Sequence, residues 1–276
     1  MLKAAARALL VGLGYRPPGR EVGVFADDIF IVSYPKSGNT WLRFLVASLV
    51  CDRHGIGFNN IDEVIPDIYQ CTEKSLRKRQ RPRIIKSHEY FDRRYGRVIY
   101  IVRDPRDVAV SYFYHHLKQR LIPEDRGFER FVERFLAGTL DPYGSWQEHV
   151  GSWLGARSGR DDFLLLRYED LSRTAEDELK RVAEFLDLQL TETRLRRAVE
   201  QCSFEEMRRL ERRQAHRTST LKSSRQDIGF VRSATVGGWQ QELAPALAAR
   251  IVERWGRTMA ELDYAQEQRA RPCDLT

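Results

Sequence analysis

Short runs of consecutive apolar residues recur along this chain, and stretches with helical spacing separate them. The first clear run, Ile29 to Ser33 (IFIVS), is apolar enough to be buried on both faces and predicts a central strand. A loop follows it, then a helix from about Thr40 to Val50. Further strands are predicted at Arg83 to Lys86, Arg97 to Val102 (RVIYIV) and Asp162 to Leu166 (DFLLL). Asp104-Pro105 supplies an N-cap and a proline at the first helical position, so a helix should run from there toward Leu117. Thr174 to Leu188 is strongly periodic, and Pro245 to Leu262 reads as the last long helix. Strands alternating with helices predict a single α/β domain with a central parallel sheet flanked by helices. No internal repeat appears.

Two segments depart from this pattern. The N-terminus places Lys3 and Arg7 ahead of a short apolar stretch; it resembles a weak signal peptide, but the run is broken by Gly12 and Gly14 and is too short to span a bilayer. It predicts an arm or docking helix over 1–24 and leaves peripheral membrane contact open. Between Arg212 and Trp239 lies a polar stretch with little periodicity, of a length usual for disordered segments or functional lids. A domain over 25–265 and a tail over 266–276 complete the division.

With 276 residues the chain can bury a large core without disulfide or metal staples. Its net charge of +7 favours anionic partners. Many cations fall in Lys74–Arg83 and Arg208–Arg225, each open to reading as solvated surface or anion site. Cys51, Cys71, Cys202 and Cys273 are far apart, which fits reduced thiols in a cytoplasm and gives no metal-ligand spacing.

The chemistry concentrates at strand ends. Tyr34 to Trp41 (YPKSGNTW) lies between a buried strand and a helix, where backbone N–H groups and the helix dipole favour an anion. Gly38 allows close backbone approach, Lys36 adds a mobile charge, and Ser37, Asn39 and Thr40 add side-chain donors. This is not a Walker A loop, because Lys36 precedes Gly38. In Arg97 to Tyr112, Arg103 ends a strand and Ser111 sits about two turns into the next helix; at ~5.4 Å per turn both can reach one anion. Arginine's planar fork suits phosphate oxygens. Lys86-Ser87-His88 follows another strand, and His88 can take a proton near neutral pH. Glu89 is a competing base. His115, His116 and His149 lie in helical patterns and read as exposed.

Together these segments resemble the PAPS-dependent sulfotransferase family, PAPS being 3′-phosphoadenosine 5′-phosphosulfate. The family's 5′-phosphosulfate loop reads close to YPKSGTTW, from which only Asn39 departs. The resemblance implies that Pro35 to Trp41 hold the 5′ end of the donor, that Arg103 and Ser111 hold its 3′-phosphate, and that Trp41 stacks on adenine. It implies a catalytic role for Lys36, with Lys86 helping to hold the transferred group and His88 as base. Tyr168-Glu169-Asp170 resembles the family's YED segment, whose tyrosine contacts adenine, and Cys202 to Met207, with Phe204, resembles its S-F-x-x-M stretch. Phe230 to Trp239 is similar to the R-K-G-x-x-G-D-W signature: Arg232, Gly237 and Trp239 match, whereas Ser233, Ala234 and Gly238 do not. One cation is therefore missing from the expected 3′-phosphate clamp. The implied fold is related to P-loop nucleotide folds, and the implied reaction is in-line sulfuryl transfer to a hydroxyl or amine without a metal.

Two rivals remain. An ATP-dependent small-molecule kinase would share the strand–loop–helix site, but the Lys/Gly order is wrong and ATP would leave the second anion motif empty. A non-catalytic nucleic-acid-binding protein would explain the basic runs, yet no recognition motif for it is evident. No nucleic acid partner is expected. The acceptor is a small molecule or glycan, its pocket expected between Cys51–Arg81 and Gln119–Tyr143. Phe58, Tyr69, Tyr90 and Phe91 read equally as pocket or core. The oligomeric state is not legible.

Overall fold

A computed structural model describes residues 22–51, 55–125, 127–214 and 219–264. The predicted arm, apart from 22–24, and the predicted tail lie outside the described residues, as does Cys273. The elements run β1 (Ile29–Val32), α1 (Asn39–Val50), α2 (Ile61–Val64), α3 (Glu73–Arg77), β2 (Ile84–Ser87), β3 (Arg97–Val102) and α4 (Pro105–Lys118). Then come α5 (Phe128–Leu136), α6 (Trp146–Arg157), β4 (Phe163–Arg167), α7 (Tyr168–Arg173), α8 (Ala175–Phe185), α9 (Glu192–Gln201) and α10 (Phe204–Gln214). The last are α11 (Ser219–Lys222), α12 (Trp239–Glu242) and α13 (Pro245–Glu261).

The four strands pair in the order β2-β1-β3-β4, all parallel. The register aligns Val32 with Ser87 on one side and with Tyr100 on the other. Alternate residues of the strands face opposite layers, as the two-residue period requires. Phe30, Val32, Val98, Tyr100 and Val102 pack toward α4, α5, α6 and α13. Ile29, Ile31, Ile99 and Ile101 pack toward α1, α8 and α9. The chain crosses from β2 past β1 to β3, so the strand order reverses beside β1. In open parallel sheets that is where ligands bind, at the carboxyl ends of the strands.

Local signals explain the helix that matters most. Asp104 caps α4 by accepting from Arg106 N, with Pro105 at its start. The periodic stretch predicted over Thr174 to Leu188 forms one helix, α8, over Ala175–Phe185. Thr174, at φ −134°, ends α7 and starts α8, so the Tyr-Glu-Asp segment forms a helical turn of its own. The basic run Lys74–Arg83 is largely spent on structure. Arg77 pairs with Glu73, Arg81 with Asp27, and buried Arg83 with buried Asp28 at 2.5 Å. No helix among the described residues is long and apolar enough to cross a membrane.

Candidate active site

β1 ends at Val32 and the chain turns through Ser33 to Gly38 before α1 begins at Asn39. Lys36 (φ 67°) and Gly38 (φ 97°) both adopt left-handed backbone. Gly38 has a second reason to lack a side chain: a Cβ there would lie 2.5 Å from Tyr168 Cδ2. The first-turn N–H groups of α1 have no partner within the helix and point out of its end. Ser37 is fully buried and its hydroxyl has no hydrogen-bond partner, which suits an oxygen-rich anion held in this loop. Pro35 is buried, and Thr40 and Trp41 are half-buried at the same helix start. Asn39 behaves differently from expectation. Its amide nitrogen donates inward to Ile31 O, Ser33 Oγ and Ser87 O, tying β1 to β2, so its side chain adds no donor to the loop.

The second junction lies at the end of β3. The Arg103 guanidinium sits 4.1 Å from the centroid of the Tyr168 ring, donates to Thr235 O at 3.0 Å and lies 3.6 Å from Asp107. Its Nε is buried and unpartnered. Ser111 is half-buried on α4. Arg232 lies 4.5 Å from the Tyr114 ring on the same helix and pairs with Glu242 at 2.7 Å. Asp107 accepts from Gly237 N and Trp239 N, which docks the late segment on the start of α4. Trp41 meets Tyr168 edge-on at 5.6 Å and donates to Cys202 O. Gly38, Trp41, Arg103 and Tyr168 are thus gathered at one spot. Phe204 opens α10 beside Arg208, two residues after Cys202, whose carbonyl accepts from Trp41.

The two junctions follow paired strands and lie within each other's electrostatic reach. Burial first, and then the charges of Arg103 and Arg232, push the Lys36 ammonium down to about 8. Lys36 Nζ lies 4.6 Å from the Phe230 ring centroid. Of the polar stretch predicted as a lid, 215–218 lie outside the described residues, and Phe230 is the part that meets Lys36. Glu211 accepts from Phe230 N and Val231 N, and Lys118 donates to Arg225 O and Ile228 O, holding the strap down.

On the other side of the loop His88 follows β2. Its Nδ1 lies 2.8 Å from Ser33 O, and since a carbonyl only accepts, Nδ1 carries the hydrogen. In the neutral ring the lone pair is then on Nε2. Burial, with the charge of Lys86, holds the imidazole well below its usual range, so the neutral form prevails. Tyr69 stacks on His88 and Tyr143 meets it edge-on at 5.7 Å. Glu89 is buried and accepts from Tyr69 OH at 2.8 Å, while Tyr69 OH accepts from His88 N. Lys86 Nζ donates to Asp67 at 2.9 Å and lies 5.1 Å from the Tyr69 ring centroid.

The remaining histidines correct their predicted exposure. His149 is fully buried: its Nδ1 lies 2.9 Å from Tyr100 OH and its Nε2 donates to the His88 carbonyl. His116 is buried and His115 half-buried. Of the aromatics left open, Phe58 packs on Phe44 and Phe91 on Trp153, both as core, whereas Tyr69 lines the His88 side. Glu211 joins the site with no local sequence signal, through its bonds to Phe230 N and Val231 N, whereas Phe230 and Tyr143 belong to segments that the sequence singles out.

A family model for the sulfotransferase domain matches residues 26–263. Rat sulfotransferase 1E1 is 30% identical over 259 residues, covering 85% of this chain and 84% of the relative. Mouse sulfotransferase 1B1 is 34% identical over 229 residues, 77% of this chain and 76% of the relative. The crystal structure of mouse sulfotransferase SULT7A1 complexed with PAP superposes with a TM-score of 0.71 at 26% identity, over 89% of this chain and 88% of that one. Retinol dehydratase shares the fold, with a TM-score of 0.68 at 21% identity, over 86% of this chain and 82% of that one.

Proposed function

Because this chain belongs to the sulfotransferase domain family, we propose that its cleft transfers a sulfuryl group from PAPS to a hydroxyl or amine of a small-molecule or glycan acceptor. The observation that carries this reading is the pair of cation-bearing junctions on adjoining strands, Lys36 after β1 and Arg103 after β3, close enough for one to depress the other. Such a pair suits a nucleotide with phosphate at both ends. Lys36 and the first-turn N–H groups of α1 take the 5′ end; Arg103, Ser111 and Arg232 take the 3′-phosphate; Trp41 and Tyr168 flank the base. Ser37, buried with a free hydroxyl, fits the same anion.

The acceptor oxygen attacks sulfur in line as the bond from sulfur to the bridging phosphate oxygen breaks. The acceptor's proton passes to His88 Nε2, which the Ser33 carbonyl keeps unprotonated. The charge that develops on the departing phosphate meets Lys36 and the loop amides. Lys86 is tied to Asp67 beneath Tyr69, so its part is to steady Tyr69 and hence His88. Glu89, spent on Tyr69, supports that same arrangement.

The test is Arg103→Ala with calorimetric titration of adenosine 3′,5′-bisphosphate and AMP. Loss of a charge-assisted contact of about 1.5–3 kcal/mol should weaken the bisphosphate roughly ten- to hundredfold and leave AMP nearly unchanged. Equal losses for both ligands would remove the 3′-phosphate assignment, and with it the distinction from an ATP site.

A further inference from the structure

His115 has no part in the transfer just described, yet it and Lys36 both meet the Phe230 ring. It projects from α4 one turn beyond Ser111. The Phe230 ring has Lys36 Nζ 4.6 Å from its centroid and the His115 imidazole 6.3 Å away, edge to face. Phe230 is therefore a partition with the leaving-group lysine on one contact and His115 on the other. Tyr112 lies tilted at 6.2 Å and His116 at 6.4 Å, so aromatic rings form a wall around these faces of His115. Within this wall Nδ1 of His115 is buried and has no hydrogen-bond partner. Such a group in a folded protein is expected to have a use.

The charges around it say what kind of partner it suits. Burial, followed by the fields of Lys36, His116, His88 and Lys118, holds the imidazole well below its usual range, so it is neutral at physiological pH. That set of neighbours also places it within the field of both the base and the leaving-group lysine. A cationic ligand group would be repelled by Lys36 and Lys118. A neutral hydroxyl suits an imidazole of either tautomer, because it can both donate and accept.

The geometry points to His115 as a specificity-determining residue that binds a second hydroxyl of the acceptor, distinct from the hydroxyl that receives the sulfuryl group. This rests on the proposed sulfuryl transfer. A site built to hydrogen-bond a substrate hydroxyl discriminates strongly against an analogue that lacks it, since the buried polar group is then left unpaired. Apolar surroundings of the same size would discriminate little.

The experiment compares 2-naphthol with the set of dihydroxynaphthalenes as acceptors for PAPS, using wild-type enzyme, His115→Phe and His115→Asn. Asparagine places an amide near the position of Nδ1; phenylalanine keeps only the ring. Wild type should favour at least one diol over 2-naphthol by about tenfold or more in kcat/KM. His115→Phe should abolish that preference by lowering kcat/KM for the diol while sparing 2-naphthol, and His115→Asn should restore most of it. The affinity for adenosine 3′,5′-bisphosphate should be the same in all three proteins. Equal kcat/KM for every acceptor in wild type, or parallel losses for mono-ol and diol in His115→Phe, would overturn the proposal. So would a wild-type enzyme that binds the bisphosphate and sulfates another acceptor but none of these. Failure to bind the bisphosphate at all, with no transfer to any acceptor, would instead overturn the sulfotransferase reading beneath it.

Discussion

A methyl group at position 38 would have to occupy space that Tyr168 holds. Gly38→Ala combines two costs that the structure separates. The backbone is left-handed, at φ 97°, which costs a residue with a Cβ about 1–2 kcal/mol. The new Cβ also lies 2.5 Å from Tyr168 Cδ2 and 3.3 Å from Ile101 Cδ1. Tyr168 cannot step aside cheaply, for its hydroxyl donates to Ala234 O and Arg103 lies over its ring. Overpacking of this kind costs about 1–3 kcal/mol, so the total is roughly 2–5 kcal/mol. Urea unfolding of Gly38→Ala, Tyr168→Ala and the double variant, followed by tryptophan fluorescence, isolates the second cost. Once the ring is gone, adding the methyl should cost only the backbone part, giving a coupling of about 1–3 kcal/mol. If the substitution costs the same with and without Tyr168, the ring does not constrain the loop and the contact has been misjudged.

Three further outcomes follow from the site. His88→Ala should lower kcat about 10²- to 10⁴-fold in single-turnover assays with bisphosphate affinity kept; full turnover would pass the base role elsewhere. For the pH profile, Lys36 is needed charged and its pKa is lowered to about 8 in the free protein. Donor kcat/KM should therefore hold below pH 8 and fall above it, whereas no acid limb from His88 should appear near its ordinary 6.5, since its shift is downward; a flat profile to pH 10 would contradict the Lys36 assignment. Ala234 sits at φ 54° where the related signature has glycine, so Ala234→Gly should raise stability by up to about 1 kcal/mol in urea denaturation, and a loss would show that its methyl packs usefully.

The frame of this fold was readable because β1 and β3 are buried on both faces, so Ile29–Val32 and 98–102 are unbroken apolar runs. The loop at Lys36 and Gly38 was readable because its chemistry is contiguous in the chain. What escaped detection depends on contacts across many residues. Nothing local tells that Asn39 turns its amide into the sheet, or that His149, 61 residues from His88, donates to its carbonyl. The polar stretch after Arg212 looked unconstrained because its anchors, Lys118 and Asp107, lie on another element.

Helix α4 has a consequence for how the molecule can change. Asp107 near its start, Ser111, His115 and Lys118 at its end lie along one rigid rod of 14 residues, about 21 Å long. Nucleotide docking, the acceptor wall and the strap's anchor are therefore measured off a single ruler. Inserting or deleting a residue within it would rotate every later side chain by about 100° and scramble these functions together. Lineages that diversify their acceptors must do so by exchanging side chains at fixed marks on that ruler, or by rebuilding loops that do not share it.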